Sequence, residues 1–145
     1  MSPEEFSVAS HFLQDAQRVI AAGKVQRWEV VKWGVAVNLA LAAAAASTQF
    51  GRWSWLLVLF SIFISGLGLF LIFSYNRRMI NQRNDAITII KYLESNKVNV
   101  REVTKIDYDN VYSSGDHYDR RELCAHYAAV LCSIIPVCVV AARTL

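Results

Sequence analysis

Two prolines and six glycines are few for a chain of 145 residues. Their scarcity removes the commonest helix breakers and argues against a turn-rich architecture, so long uninterrupted helices are expected. Three cysteines, Cys124, Cys132 and Cys138, show no C-x-x-C spacing, and the three histidines, His11, His117 and His126, are scattered. Neither set clusters as zinc or iron–sulfur ligation requires, so no metal and no cofactor is expected. The cysteines fall in an apolar stretch and read as buried thiols acting as small hydrophobes. There is no glycine-rich phosphate loop and no nucleophile–base pair among neighbours, which points to a non-enzymatic role. Charge is missing most completely from Trp55 to Phe73, where no Asp, Glu, Lys or Arg occurs.

The rest of the chain is organised around that uncharged run. At roughly −0.3 to −0.6 kcal/mol for each Leu, Ile, Val or Phe, it favours a bilayer over water by several kcal/mol. Its length matches the roughly 20 residues that cross about 30 Å of hydrocarbon. The preceding segment, Trp33 to Thr48, is weaker because it is Ala-rich and carries Asn38. The short link Gln49-Phe50-Gly51-Arg52 makes the two segments an antiparallel hairpin. Arg18, Lys24, Arg27 and Lys32 precede the hairpin, Arg77, Arg78, Arg83 and Lys91 follow it, and Arg52 alone sits in its turn. By the positive-inside rule both flanks, the N-terminus included, are expected to face the cytoplasm, with the turn on the other side. The same basic residues suit anionic lipid head groups. Glu4, Glu5 and Asp15 ahead of the first apolar run argue against a cleavable leader.

The fold class expected is an all-α membrane protein, a long-helix transmembrane hairpin with cytoplasmic helical extensions and a third transmembrane helix. It reads as one helical membrane domain over 1–145. Residues 1–32 form a cytoplasmic amphipathic helix, opened by a capping box at Ser2-Pro3-Glu4-Glu5, with an apolar stripe through Ala9, Phe12, Leu13, Ala16, Val19, Ile20 and Gly23. Spans follow at 33–49 and 53–75. The helix then continues through 76–95 with Met79, Ile80, Ala86, Ile87, Ile90 and Leu93 on one face. Residues 96–116 read as a cytoplasmic loop, with a short helix carrying Val100, Val103 and Ile106. Residues 117–143 read as the third span, in which Pro136 predicts a kink, the alternative being an amphipathic or re-entrant segment at the interface.

Two sets of residues are candidates for function. Asn38, Ser54, Ser61, Ser65 and Gly68 share the small, polar face of the hairpin. Such a face either packs helices closely or lines a wet pore in an oligomer. Tyr108, Tyr112, Arg120, Arg121 and His126 are candidate cytoplasmic contacts to a ligand or partner, because Arg with Tyr can hold a nucleotide by stacking and phosphate contact. Asp107, Asp109, Asp116 and Asp119 lie among them and would repel a phosphate, which favours a solvated connection with local ion pairs. The expected partners are the lipid bilayer, further copies of the chain, and a soluble regulatory partner or nucleotide signal. Nucleic acid is not expected.

Two resemblances bear on function. Arg121-Glu122-Leu123-Cys124-Ala125-His126 resembles the R-x4-H signature of HEPN ribonucleases. That likeness would make Arg121 a phosphate-stabilising group and His126 an acid or base. The stretch from Gln17 to Ser95, with Tyr75-Asn76-Arg77-Arg78, Arg83, Ala86 and Tyr92-Leu93, resembles the SLATT-type two-transmembrane effector modules of bacterial anti-phage systems. The second likeness implies a pore-forming or membrane-perturbing effector that oligomerises when a signal or partner activates it. The alternative is a non-catalytic membrane anchor that recruits a soluble partner. A membrane-tethered ribonuclease is a third, weaker alternative.

Overall fold

The computed structural model describes residues 2–47, 53–96, 98 and 117–144. The described elements are all helical: α1 (Pro3–Ala46), α2 (Ser54–Ser95), α3 (His117–Cys132) and α4 (Ile135–Thr144). No strand occurs among the described residues. The hairpin turn, the short helix expected near Val100 and the loop with Tyr108 and Tyr112 lie outside them.

The start of α1 is fixed locally. The Ser2 backbone N–H donates to Glu5 Oε2 at 2.8 Å and the Glu5 N–H donates to Ser2 Oγ at 3.2 Å, a reciprocal capping box. Pro3 takes the first helical position, where no N–H is needed. From there α1 runs 44 residues without a break. α2 likewise runs 42 residues, through the basic Arg77-Arg78 pair. At its end, Val98 N–H reaches back to the Leu93 carbonyl at 3.1 Å. Val98 also packs against the apolar cluster that contains Leu93, as helix-ending motifs of this kind commonly do.

The described residues fall into two compact units. One comprises Met1–Val25 with Tyr75–Arg121, the other Gln26–Ser74 with Glu122–Leu145. The first is built in the ordinary way. Leu13 and Ala16 of α1 meet Ala86, Ile90 and Leu93 of α2, all almost wholly buried, with Phe6 and Ile89 against them. These belong to the apolar stripes expected from the sequence, and they pack on each other; Phe12 and Ile80, expected on the same stripes, are exposed instead.

Gly23 sits in this unit at a close approach. A Cβ there would lie 2.6 Å from both Cγ and Sδ of Met79. Those atoms belong to a flexible side chain, and alanine gains about 1 kcal/mol of helix propensity over glycine. Gly23→Ala is therefore expected to change stability by less than about 1 kcal/mol. Gly23→Leu should lose about 1–3 kcal/mol through overpacking. Thermal unfolding followed by circular dichroism in detergent checks both; equal stability of the leucine variant would show that the helices are free to separate here.

The second unit has its polarity reversed. Ser54, Ser61, Ser65 and Asn38 are at most 1% exposed, whereas Phe60, Phe63, Phe70 and Phe73 are 50–65% exposed. Leu56, Leu59, Ile62 and Leu67 also face outward. Half-exposing eight such side chains to water would cost on the order of 10 kcal/mol, comparable with the whole stability of a small domain. The inward positions on α1 step through Arg27, Val31, Gly34, Asn38, Ala42 and Ala45 in intervals of three and four. That is the spacing of a coiled-coil seam.

The third apolar segment is broken rather than kinked. α3 ends at Cys132, Ser133 and Ile134 form a turn, and α4 begins at Ile135. Pro136 has no N–H to return to the Cys132 carbonyl, and the ladder fails there. Ser133 N–H still bonds the Ala129 carbonyl at 3.1 Å, and Cys138 N–H resumes the pattern with Ile134. The expectation of buried thiols is also corrected: Cys124, Cys132 and Cys138 are all exposed. The inward register of this segment is taken instead by His126, Val130, Ser133, Val137 and Ala141.

Candidate functional site

Asn38 is the hub of the second unit. Its Nδ2 donates to Ser65 Oγ at 2.9 Å and to Ser133 Oγ at 2.6 Å. Its Oδ1 accepts from Ser61 Oγ at 2.7 Å. The Ser133 hydroxyl spends its own proton on the Val130 carbonyl at 2.6 Å, so towards Asn38 it can only accept. This fixes which way the amide faces. Three helical segments thus meet at one side chain whose two N–H donors and carbonyl are all used. An amide buried without such partners would cost several kcal/mol in an apolar medium.

Each member of the node falls inside an expected span. Asn38 lies within 33–49, Ser65 within 53–75 and Ser133 within 117–143. Gly68, one turn beyond Ser65, faces Val30 and Val130. A Cβ there would meet their methyl groups at 3.7 and 3.9 Å, ordinary contact. Gly68 is therefore inward-facing without being required to be small.

A second polar group lies about three helical turns from the node, towards the start of α3. Arg27 is completely buried, and its Nη2 lies 3.6 Å from Glu122 Oε2, with Glu122 one-third exposed. One turn on, His126 is 2% exposed. Its Nδ1 is 2.7 Å from the Glu122 carbonyl, so that nitrogen carries the proton and donates. Its Nε2 is buried without a hydrogen-bond partner. The Trp28 ring stands edge-on to the imidazole, centroids 5.3 Å apart and planes at 80°. Arg27 and Asn38 are separated along α1 by the same number of residues as Glu122 and Ser133 along the third segment. The two run parallel and in register.

Other candidate residues fall elsewhere. Ser54 is buried at the head of α2, away from the hydrogen bonds of the Asn38 node. Arg120 and Arg121 are exposed on α3. With His126 buried and bonded to its own helix backbone, the R-x4-H pair does not converge; a spacing of five places the two on different sides of a helix. Arg27, Glu122 and Ser133 were not singled out as site residues by the sequence. The signal for Arg27 was present, since it occupies the three-four seam position between Gly23 and Val31. Among the described residues no group of His, Cys, Asp or Glu could hold a metal ion.

Pro3–Ala46, Ser54–Ser95 and Arg120–Arg143 each contain a stretch long and apolar enough to cross a membrane. The class of protein defined by the chain is therefore an all-helical one with three candidate membrane spans. No family model, curated protein or solved structure matches the chain.

Proposed function

We propose that this is an integral protein of the bacterial inner membrane that acts as a pore-forming or membrane-perturbing effector in phage defence. The N-terminus and the helical extensions lie in the cytoplasm. The observation that carries the membrane reading is the reversed polarity of the second unit, with Ser and Asn inside and Phe, Leu and Ile outside. Hydrocarbon is the solvent in which that arrangement is stable, because lipid replaces water around the aromatic shell while the buried hydroxyls and amide satisfy one another. Trp28 and Trp33 near one end of the seam and Trp53 and Trp55 at the other are exposed, as interfacial anchors are.

The effector role comes from the likeness to SLATT-type modules and from the polar seam itself. A seam closed by a few hydrogen bonds has an alternative in which those groups bind water, and a cytoplasmic trigger that repacks α1 and α2 would select it. Reconstituted protein is expected to release a trapped dye from vesicles once triggered. Intact vesicles with every cytoplasmic fraction and nucleotide added would remove the effector reading. If a soluble protein were then recovered with the chain in fixed ratio, the anchor role would take its place. For that role the first unit offers a groove lined by Val8, Phe12, Ile89 and Tyr92, with Glu4 and Glu5 at its edge.

A further inference from the structure

We propose that the α3–α4 segment is a displaceable intramolecular cap on the polar face of the α1–α2 hairpin, and that what replaces it is the same face of a second copy of this chain. The inference rests on the membrane reading above and adds the regulation of that site.

Three polar groups of the cap reach α1. Ser133 takes one N–H of Asn38, Glu122 faces Arg27, and His126 meets Trp28. The hairpin alone satisfies the rest of the Asn38 amide, through Ser61 and Ser65. Undocking the cap therefore separates Arg27 from Glu122 and frees one N–H of Asn38, together with the seam around it. In hydrocarbon that donor has to find an acceptor.

A primary amide donates and accepts from the same group, so across a two-fold axis Asn38 can pair with its own copy. Such a contact is self-complementary, as a closed dimer requires. The docked cap also carries a penalty of its own. His126 Nε2 is buried without a hydrogen-bond partner, and the segment is broken at Ser133 next to Pro136. The unmet His126 nitrogen offsets part of the energy that docks the cap, whereas the break before Pro136 belongs to the segment itself and persists in either state.

The test uses the full chain in phosphatidylethanolamine–phosphatidylglycerol vesicles, counting protomers by single-molecule photobleaching. Ser133→Ala is expected to favour the undocked cap roughly three- to eighteenfold in each protomer, the range set by one hydrogen bond between membrane helices, and to raise the self-association constant by at least that factor. Ser133→Thr keeps the hydroxyl and should behave as the parent chain. Glu122→Gln loosens the cap at its other contact and should shift association in the same direction as Ser133→Ala. Adding Asn38→Leu to Ser133→Ala should abolish the gain. Parental association in both Ser133→Ala and Glu122→Gln would overturn the cap, and so would association that persists without Asn38. Self-association without dye release would overturn the effector reading and leave the cap intact.

Discussion

Replacing Asn38 with alanine is expected to lower the unfolding free energy in detergent by about 2–4 kcal/mol. One side chain holds Ser61, Ser65 and Ser133 together, and its loss removes three hydrogen bonds at once. Individual bonds between membrane helices average about 0.6 kcal/mol and reach about 1.7. The alanine variant also strands the Ser61 hydroxyl and leaves a small cavity, which raises the total. Ser65→Ala, which removes one acceptor, should cost about 1 kcal/mol. Titration with a denaturing detergent, followed by circular dichroism, reads both. If Asn38→Ala cost no more than Ser65→Ala, the amide would not be the hub.

Arg27→Ala is expected to be nearly as damaging, at about 3 kcal/mol. Removing one member of a buried ion pair costs about 3–5 kcal/mol, and Glu122, one-third exposed, keeps enough water to hold the loss near the lower end. Part of the effect is packing, because the Arg27 stem is fully buried. Arg27→Met keeps the stem and should recover a good share of it. A double-mutant cycle of Arg27→Met with Glu122→Gln separates the pair from the packing. We expect a coupling of about 1 kcal/mol. A coupling of zero would make Arg27 a buried stem whose charge is served elsewhere.

The helices were legible in the sequence to an unusual degree, for a physical reason. Scarcity of Pro and Gly leaves few places to stop, and the capping box at Ser2 and Glu5 is a purely local signal. The two stripes through Leu13 and Ile90 follow from the helical period alone, and they do meet. The small polar face of Asn38, Ser61, Ser65 and Gly68 was legible too. That Ser133 completes its hydrogen bonding was not, because the partner is distant in sequence and a serine beside a proline reads as an interruption. Arg27 was hidden differently. Beside Lys24 and Lys32 it looks like one more flanking charge, and only its place in the three-four seam distinguishes it. The cysteines misled because apolar surroundings in sequence suggest burial, whereas here the apolar side is the outer one.

Under the membrane reading proposed above, the parallel, in-register pairing of the third segment with α1 would have a consequence for biosynthesis. A nascent chain presents α1 and α2 to the insertion machinery first. When residues 117–143 emerge, carrying Glu122, His126, Ser133 and Pro136, they are a poor stop-transfer sequence by themselves. The groups that accept them, Arg27 and Asn38, are by then already in place. Under that proposal, integration of the last segment would be a templated step, with the finished hairpin serving as its chaperone within the same polypeptide.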